Sequence, residues 1–239
     1  MRLITWNCKG AFARKHASIV SLKPDVLVLP EAARMTGLEH VLGASPVNSV
    51  EWAGDNPLKG LAVISYGEYS LRVHEAYDPR LRWILPLDVD GPIPFTLIAV
   101  WAMPDEDTGR LYARCLFDAC DTYRTLLESP RVVLAGDFNN NMSFDTPRHP
   151  LKFATLLSTL DSFGLRSLYH LDRGCIHGAE PDPTFFLYHR ADKQHHIDFV
   201  FAKPALSDLG FSVSVGDHAA WAKASDHMPL ACTFGSASQ

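Results

Sequence analysis

The sequence has no long hydrophobic run and no strong excess of positive charge. Its longest nearly apolar run, Phe95 to Pro104, is about half of the roughly 20 residues that a membrane-spanning helix needs. One basic residue and a short apolar stretch precede the polar Asn7, which is not the pattern of a secretory signal. We therefore expect neither membrane insertion nor secretion.

Cysteine is scarce, with 5 residues in a chain of 239 and no Cys-x-x-Cys pair. An odd, unpaired set favours free thiols in a reducing compartment, so we expect a cytoplasmic location. Apolar residues make up 47% of the chain and charged residues 21%, which are values typical of globular proteins. This composition excludes a disordered, collagenous or coiled-coil chain.

The net charge is −5 with histidine neutral, which opposes a general electrostatic attraction to nucleic-acid phosphates. A protein of this charge that acts on phosphates must attract them locally, through metal ions or a few basic side chains. Eight of the 11 histidines lie between His149 and His227. This uneven distribution points to a use of imidazole in the C-terminal half.

No repeat, low-complexity tract or long linker interrupts the sequence, so we predict a single domain over residues 1–239. Several strand-like runs follow one another in the middle of the chain, while helical patterns are isolated. This order predicts an α/β fold with two mostly antiparallel sheets packed face to face and helices outside. A parallel Rossmann sheet is the alternative, but it needs a helix after nearly every strand.

Periodicity and breaker residues give the predicted elements. Helices are predicted over 11–22, 109–127 and 152–163. Strands are predicted over 2–6, 25–29, 61–66, 70–75, 82–88, 95–101, 131–136, 197–202 and 228–234.

Acidic and amide side chains stand at the ends of predicted strands in five places. In the first three places they follow a strand, and in the last two they precede one. If the last two strands run antiparallel to the first three, all five places meet at one edge of the fold. The residues concerned are Asn7, Glu31, Asp137, Asn139, Asp198, Asp226 and His227.

Carboxylate and amide oxygens without thiolates favour Mg²⁺ or Mn²⁺ over zinc. A divalent cation beside a histidine donor suits the attack of water on a phosphate ester. Each motif alone is also compatible with an ordinary turn or helix cap, since Gly, Asn, Asp and Ser favour both. Their shared position at strand ends favours a common site.

Five motifs resemble those of the endonuclease/exonuclease/phosphatase superfamily. This superfamily includes abasic-site endonucleases, pancreatic-type deoxyribonucleases, inositol polyphosphate phosphatases and neutral sphingomyelinases. The resemblance spans the whole chain and implies a four-layered α/β sandwich. The motifs are Thr-Trp-Asn at 5–7, Leu-Pro-Glu at 29–31, Gly-Asp-Phe-Asn at 136–139, His-Ile-Asp-Phe-Val-Phe at 196–201 and Ser-Asp-His-Met-Pro-Leu at 225–230.

The resemblance implies a role for each matching residue. Glu31 is the expected principal metal ligand, with Asn7 and Asp226 completing the environment of Mg²⁺ or Mn²⁺. Among the catalytic residues, the resemblance implies that Asp137 orients or deprotonates the attacking water and that Asn139 holds the phosphate. It also implies that His227 donates a hydrogen bond to a phosphate oxygen while Asp198 fixes its ring.

Three positions depart from the superfamily pattern, one of which is Pro30, where many relatives carry a glutamine before the glutamate. Lys9 stands where the abasic-site enzymes carry an aspartate, so either one metal ligand is missing or Lys9 contacts substrate phosphate. Ala102 stands where relatives place a tyrosine or histidine. The indole N–H of the neighbouring Trp101 can donate a hydrogen bond but does not transfer a proton, so Trp101 is a candidate for orienting substrate.

Three further side chains are candidate substrate contacts. Lys59 begins a predicted strand, and Arg110 lies near a predicted helix start, where backbone N–H groups also attract phosphate. His196 follows another histidine, and adjacent strand residues face opposite sides, so one of the two lines the cleft. For Lys59 and Arg110, an ordinary solvated charge is favoured over a substrate contact.

Three functions are consistent with these residues. The first is a metal-dependent nuclease that acts on DNA or RNA, and the second is a hydrolase of a small phosphoester such as an inositol phosphate, a nucleotide or a lipid head group. The third is a non-catalytic binding module with the same fold, supported only by the changes at Lys9 and Ala102. Retention of the acidic and histidine motifs favours an enzyme, and the complete motif set favours the nuclease.

Overall fold

A computed structural model describes residues 1–35, 47–104, 112–148 and 150–235. The strands in these ranges are β1 (Arg2–Thr5), β2 (Val26–Ala32), β3 (Val47–Asn56), β4 (Lys59–Tyr66), β5 (Ser70–Val73), β6 (Ile84–Asp90), β7 (Phe95–Trp101), β8 (Val132–Asp137), β9 (Arg166–Ser167), β10 (Phe185–Phe186), β11 (Gln194–His195), β12 (Asp198–Ala202), β13 (Phe211–Val215) and β14 (Leu230–Phe234). The helices are α1 (His16–Val20), α2 (Tyr112–Thr122), α3 (Arg124–Glu128), α4 (Phe153–Ser162), α5 (Leu168–Arg173), α6 (Pro204–Ser207) and α7 (His218–Trp221).

Two six-stranded sheets dominate the described part of the chain. The first sheet has the strand order β13-β14-β1-β2-β4-β3, and the second has the order β5-β6-β7-β8-β12-β9. Strands β10 and β11 form a separate two-stranded ribbon. Within the two large sheets the neighbouring strands are antiparallel, except for the parallel pairs β1–β2 and β7–β8. The predicted pair of mostly antiparallel sheets is confirmed.

The sheets pack face to face, with helices on their outer faces. Leu3 and Val63 of the first sheet share one buried cluster with Leu97 and Val200 of the second. Helices α2, α3 and α4 cover the outer face of the second sheet through a separate apolar cluster. Helices α1 and α7 cover the first sheet. The result is the four-layered α/β sandwich that the sequence predicted.

Strand β8 lies inside the second sheet, between β7 and β12, and is apolar over most of its length. All six of its residues are buried, because the second sheet is covered by the first sheet on one face and by helices on the other. Its last residue, Asp137, is therefore a carboxylate at the end of a strand that water does not reach. Full burial is unusual for a carboxylate.

Strand directions bring the predicted site residues to one edge of the sandwich. Strand β12 is antiparallel to β8 and places Asp198 directly opposite Asp137. Strand β14 is antiparallel to β1 and places Leu230 opposite Thr5, so residues just before β14 meet those just after β1. The prediction that the last two strands of the site run antiparallel to the earlier ones is confirmed for β12 with β8 and for β14 with β1.

The helical predictions differ from the structure mainly in length. The helix expected over 109–127 is divided into α2 and α3 at Tyr123, with residues 109–111 outside the described ranges. The helix expected over 11–22 begins only at Phe12, because Ala11 lies in the left-handed region at φ 53°. It is divided into a 3₁₀ turn at Phe12–Arg14 and the short α1. None of the described helices is long and apolar enough to cross a membrane.

Candidate active site

A close approach of two backbones places Asp137. Gly136 has a φ of 149°, and a Cβ on it would lie 1.8 Å from the carbonyl oxygen of Val100 on β7. Only glycine permits this approach. Asp137 and Asp198 are cross-strand partners, and the side chains of such partners project from the same face of a sheet. Two buried carboxylates therefore share one small space.

His227 lies between these two carboxylates. Its Nδ1 is 2.9 Å from Oδ2 of Asp198, and its Nε2 is 3.9 Å from Oδ2 of Asp137. The indole N–H of Trp6 donates to the backbone carbonyl of His227, which ties the histidine to the end of β1. The imidazole is buried and its orientation is fixed through Nδ1, so Nε2 is the nitrogen available to a ligand.

Two asparagines surround Asp137. The backbone N–H of Asn139 donates to Oδ1 of Asp137 over 2.8 Å, and Nδ2 of Asn7 donates to Oδ2 over 2.9 Å. Asn139 has a φ of 46°, a left-handed conformation that asparagine tolerates better than most residues. Nδ2 of Asn7 also lies 3.3 Å from Oε1 of Glu31. The amide of Asn7 would have to turn to offer its oxygen to a metal.

Two lysines neutralise the acids at the rim of the site. Nζ of Lys59 lies 3.2 Å from Oε2 of Glu31, and Nζ of Lys9 lies 2.6 Å from Oδ2 of Asp226. Both lysines are about half exposed. Nε2 of His189 lies 3.2 Å from the same Lys9 ammonium. The acids predicted to hold a cation therefore already have ammonium groups as partners.

Burial and the two neighbouring aspartates shift the pKa of His227 in opposite directions. Burial lowers its pKa, but the carboxylates of Asp198 and Asp137 outweigh burial and raise the pKa to about 9. Burial also raises the pKa of Asp137, which His227 lowers in part. The cluster thus holds an imidazolium at neutral pH beside a carboxylate that accepts a proton unusually readily.

This raised pKa makes the stability of the metal-free protein depend on pH. A histidine with a higher pKa in the folded than in the unfolded state stabilises the fold below pH 6.5, and this contribution disappears as the pH rises through about 9. In EDTA, the difference in unfolding free energy between wild type and a His227→Gln variant should shrink by on the order of 3 kcal/mol over this range. Chemical denaturation at several pH values measures this change. A difference that stays constant with pH would contradict an ion pair between His227 and the two aspartates. A His16→Gln variant serves as the control.

Two expected substrate contacts, Trp101 and His196, have buried side chains. The indole of Trp101 is 2% exposed and packs against Trp83 in the core, with ring centroids 5.8 Å apart. His196 is also 2% exposed and packs against Tyr169, with centroids 4.2 Å apart. Nζ of Lys59, at the rim of the site, lies 5.3 Å from the centroid of the Trp101 ring. The roles of Trp101 and His196 as substrate contacts stay predictions. Arg110 lies outside the described residues.

The structure adds two supporting residues that the motifs did not assign. Oγ1 of Thr184 accepts hydrogen bonds from the backbone N–H groups of Ile197 and Asp198, which holds the start of β12. His189 contacts Lys9 as described above. Thr184 lies in a loop and His189 ends a short 3₁₀ turn, Leu187–His189, and no sequence signal identified their partners. Only the tertiary fold brings them to the site.

The arrangement suits general acid–base chemistry at an anionic centre. A buried carboxylate can accept a proton, an imidazolium can donate a hydrogen bond, and amide N–H groups lie within a few ångströms of both. Acids paired with half-exposed lysines line the entrance. This combination would stabilise the negative charge that develops when water attacks a phosphate ester.

Comparisons with known proteins agree with this chemistry. A model of the Endonuclease/Exonuclease/phosphatase family matches residues 4–227. No curated protein sequence matches the chain. Three solved structures with sequence identities below 25% share the fold. They are the 3′ phosphatase NExo from Neisseria bound to a product DNA hairpin (19% identity, TM-score 0.73, covering 98% of this chain and 99% of that chain), an AP endonuclease from Archaeoglobus fulgidus (17%, 0.71, 99% and 100%) and truncated TDP2 from Caenorhabditis elegans (13%, 0.66, 98% and 96%).

Proposed function

The chain belongs to the endonuclease/exonuclease/phosphatase family, and we propose that it is a divalent-metal-dependent phosphodiesterase that hydrolyses nucleic acid. Membership in this family makes the chain a hydrolase of phosphoester bonds. The observation that carries the finer proposal is the buried cluster of Asp137, Asp198 and His227, whose ligand atoms lie within 4.8 Å of one another. Such a cluster is costly to bury and is typical of catalytic sites.

The donors around this cluster fit Mg²⁺ or Mn²⁺. Glu31 and Asp226 supply carboxylate oxygens, and Asn7 supplies an amide oxygen once its side chain turns. Each of the two acids holds a lysine ammonium, which marks both positions as favourable for a cation. In the described part of the chain, the buried Oδ1 of Asp198 has no hydrogen-bond partner. A bound divalent cation would neutralise phosphate charge and stabilise the leaving oxygen.

The remaining steps belong to side chains of the chain itself. Asp137 accepts a proton from the attacking water, and the N–H groups of Asn7 and Asn139 hold its carboxylate in position. His227 donates a hydrogen bond from Nε2 to a phosphate oxygen, where negative charge grows in the transition state. Asp198 accepts from Nδ1 of His227 and keeps Nε2 directed at the substrate. Water attacks directly, with no covalent intermediate on the chain.

Nucleic acid is the substrate class we propose. The structures with this fold include a phosphatase bound to a DNA hairpin and an AP endonuclease, which supports the proposal. The net charge of −5 favours a small phosphoester as the second candidate, since an acidic surface repels a polyanion. The five free cysteines support a reducing, cytoplasmic setting for either activity.

Substrate class can be tested with a panel of labelled substrates. Single-stranded DNA, double-stranded DNA, RNA and an aryl phosphodiester are incubated with Mg²⁺, Mn²⁺ or EDTA, with the Asp137→Asn variant alongside. We expect metal-dependent cleavage of nucleic acid by the wild type. Turnover of the aryl ester alone would favour the small phosphoester, and no turnover of any substrate would favour a binding module.

The Lys9–Asp226 ion pair predicts a competition between ammonium and metal. Replacing Lys9 with alanine frees the carboxylate of Asp226 and removes one positive charge from the rim. We expect the dissociation constant for Mn²⁺ to fall by about threefold to fivefold, in keeping with the modest strength of a half-exposed ion pair. Isothermal titration calorimetry measures this change. Lys152→Ala removes the same charge ahead of α4 and should leave the constant unaltered, whereas equal effects of both variants would contradict the competition.

A further inference from the structure

A second cluster of metal-binding side chains lies in the segment that follows β9. His170 is in α5, and His177 and Glu180 are in the loop between α5 and β10. The ligand atoms of these three residues lie within 4.8 Å of one another. The side chains of His170 and Glu180 are only 8% and 5% exposed. None of the three belongs to the candidate active site.

Hydrogen bonds direct one nitrogen of His170 at the carboxylate of Glu180. Nδ1 of His170 is 2.7 Å from Oγ of Ser167, which leaves Nε2 facing Oε1 of Glu180 over 3.1 Å. Two ligands of a tetrahedral zinc ion are about 3.3 Å apart when each bond is about 2.0–2.1 Å. The ion would take the place of the proton that His170 and Glu180 now share.

Outer hydrogen bonds fix the carboxylate as they do in established metal sites. Oε1 of Glu180 accepts from the backbone N–H of Gly178 over 2.9 Å and from Nδ2 of Asn141 over 3.2 Å. Partners of this kind orient a ligand before the metal arrives. Ser167 has the same function toward His170, since its hydroxyl sets which imidazole nitrogen is free.

His177 supplies the observation that points most directly to a missing ligand. Its Nδ1 is buried and has no hydrogen-bond partner within the described ranges. A buried, unpaired nitrogen costs free energy, which a bond to a metal would remove. The His177 ring stacks on His170 with centroids 3.5 Å apart, and it borders a cleft of about 310 Å³ that also reaches Ser167. The cleft provides a path for an ion. The two rings are inclined by only 23°, so His177 must turn out of the stack to direct a nitrogen at the same ion as His170.

We propose that His170, His177 and Glu180 form a second divalent-cation site that takes zinc. Two imidazole nitrogens and one carboxylate oxygen are a ligand set that zinc uses, with water in the fourth position. The hard, oxygen-rich candidate active site favours Mg²⁺ instead, so the two sites select different metals. The chain would hold both ions at once.

The position of this site suggests what a bound zinc ion does. The loop that carries His177 and Glu180 runs into Thr184, which holds the backbone of Asp198. Zinc would fasten this loop to α5 and so steady the segment that supports the catalytic aspartate.

Zinc binding by equilibrium dialysis tests the proposal. Wild type, His177→Ala, Glu180→Gln and the control His16→Ala are dialysed against Zn²⁺ in excess Mg²⁺, which fills the candidate active site. We expect wild type and the control to bind one equivalent of zinc more than His177→Ala and Glu180→Gln. Adding zinc should also raise the Tm of wild type and the control more than it raises the Tm of the two variants. Co²⁺ in place of zinc should give the visible spectrum of a tetrahedral site in the wild type and the control, and not in the two cluster variants.

The two cluster variants are chosen so that a loss of zinc binding can be distinguished from unfolding. His177 lies in a loop, and glutamine at position 180 retains a hydrogen-bond acceptor, so circular dichroism should show both variants folded. Binding is expressed per mole of folded protein. Equal zinc uptake by wild type and both variants, with no cobalt spectrum of tetrahedral type, would overturn the proposal.

Discussion

The Asp137→Asn variant should hydrolyse phosphodiesters about 10³-fold more slowly than the wild type, with most of the loss in kcat. Loss of a general base costs about 10²- to 10⁴-fold in general. The substituted amide would be unable to accept a proton from water, although it would occupy the same volume at the end of β8. Initial rates under saturating substrate and Mg²⁺ measure this effect.

The stability of this variant separates a chemical loss from an unfolding one. Asp137 is a buried carboxylate beside Asp198, and burial raises its pKa, so removing its charge relieves part of the cost of burial. This gain offsets the hydrogen bond that is lost where the new amide NH₂ meets an N–H donor of Asn7 or Asn139, so the Tm of the metal-free variant should stay near that of the wild type. Asp161→Asn makes the same substitution at an exposed position of α4 and should retain full activity. An Asp137→Asn enzyme with more than a tenth of wild-type kcat would exclude Asp137 as the base.

The His227→Gln variant should lose about 10²- to 10³-fold in kcat, because a neutral amide replaces the charged imidazolium that donates to the developing oxyanion, and one preorganised donor contributes this much in general. Glutamine keeps an N–H donor but carries no positive charge. Since the pKa of His227 is raised to about 9, activity of the wild type should fall as the pH rises through that value. The variant should lack this alkaline decline. A pH–rate profile of both proteins measures the difference.

Asp198 provides the matching control for His227. It contacts the imidazole at Nδ1 and acts through it, so the effects of Asp198→Asn and His227→Gln should not add. The double variant should be about as slow as His227→Gln alone. Fully multiplicative losses would mean that Asp198 acts independently of His227.

The sequence predicted the parts of the fold that depend on local pattern. Continuous apolar runs such as β8 and β7 were identifiable because their residues are buried on both faces. Strands β3 and β13 were missed, since both lie at sheet edges with partly exposed, mixed sequences. Edge strands have weaker patterns because only one face and one neighbour constrain them.

The candidate site was predicted to the extent that its residues sit at strand ends. Strand pairing alone brings Asp137 and Asp198 together, so order and direction were sufficient for them. The environments of Trp101 and His196 depend on the packing of distant elements, and spacing does not contain that information. The Lys9–Asp226 ion pair joins residues more than two hundred positions apart, and no local pattern indicates it.

Reversible metal removal tests whether the cluster of Asp137, Asp198 and His227 is the active site of a metal-dependent phosphodiesterase. Cleavage of labelled single-stranded DNA is measured with one sample in Mg²⁺, after EDTA, and after excess Mg²⁺ is restored, with Asp137→Asn purified in parallel. We predict cleavage that stops in EDTA, returns with Mg²⁺ and is lost in the variant. Cleavage that persists in EDTA, or that is equal in the variant, would show that this cluster is not a metal-dependent active site.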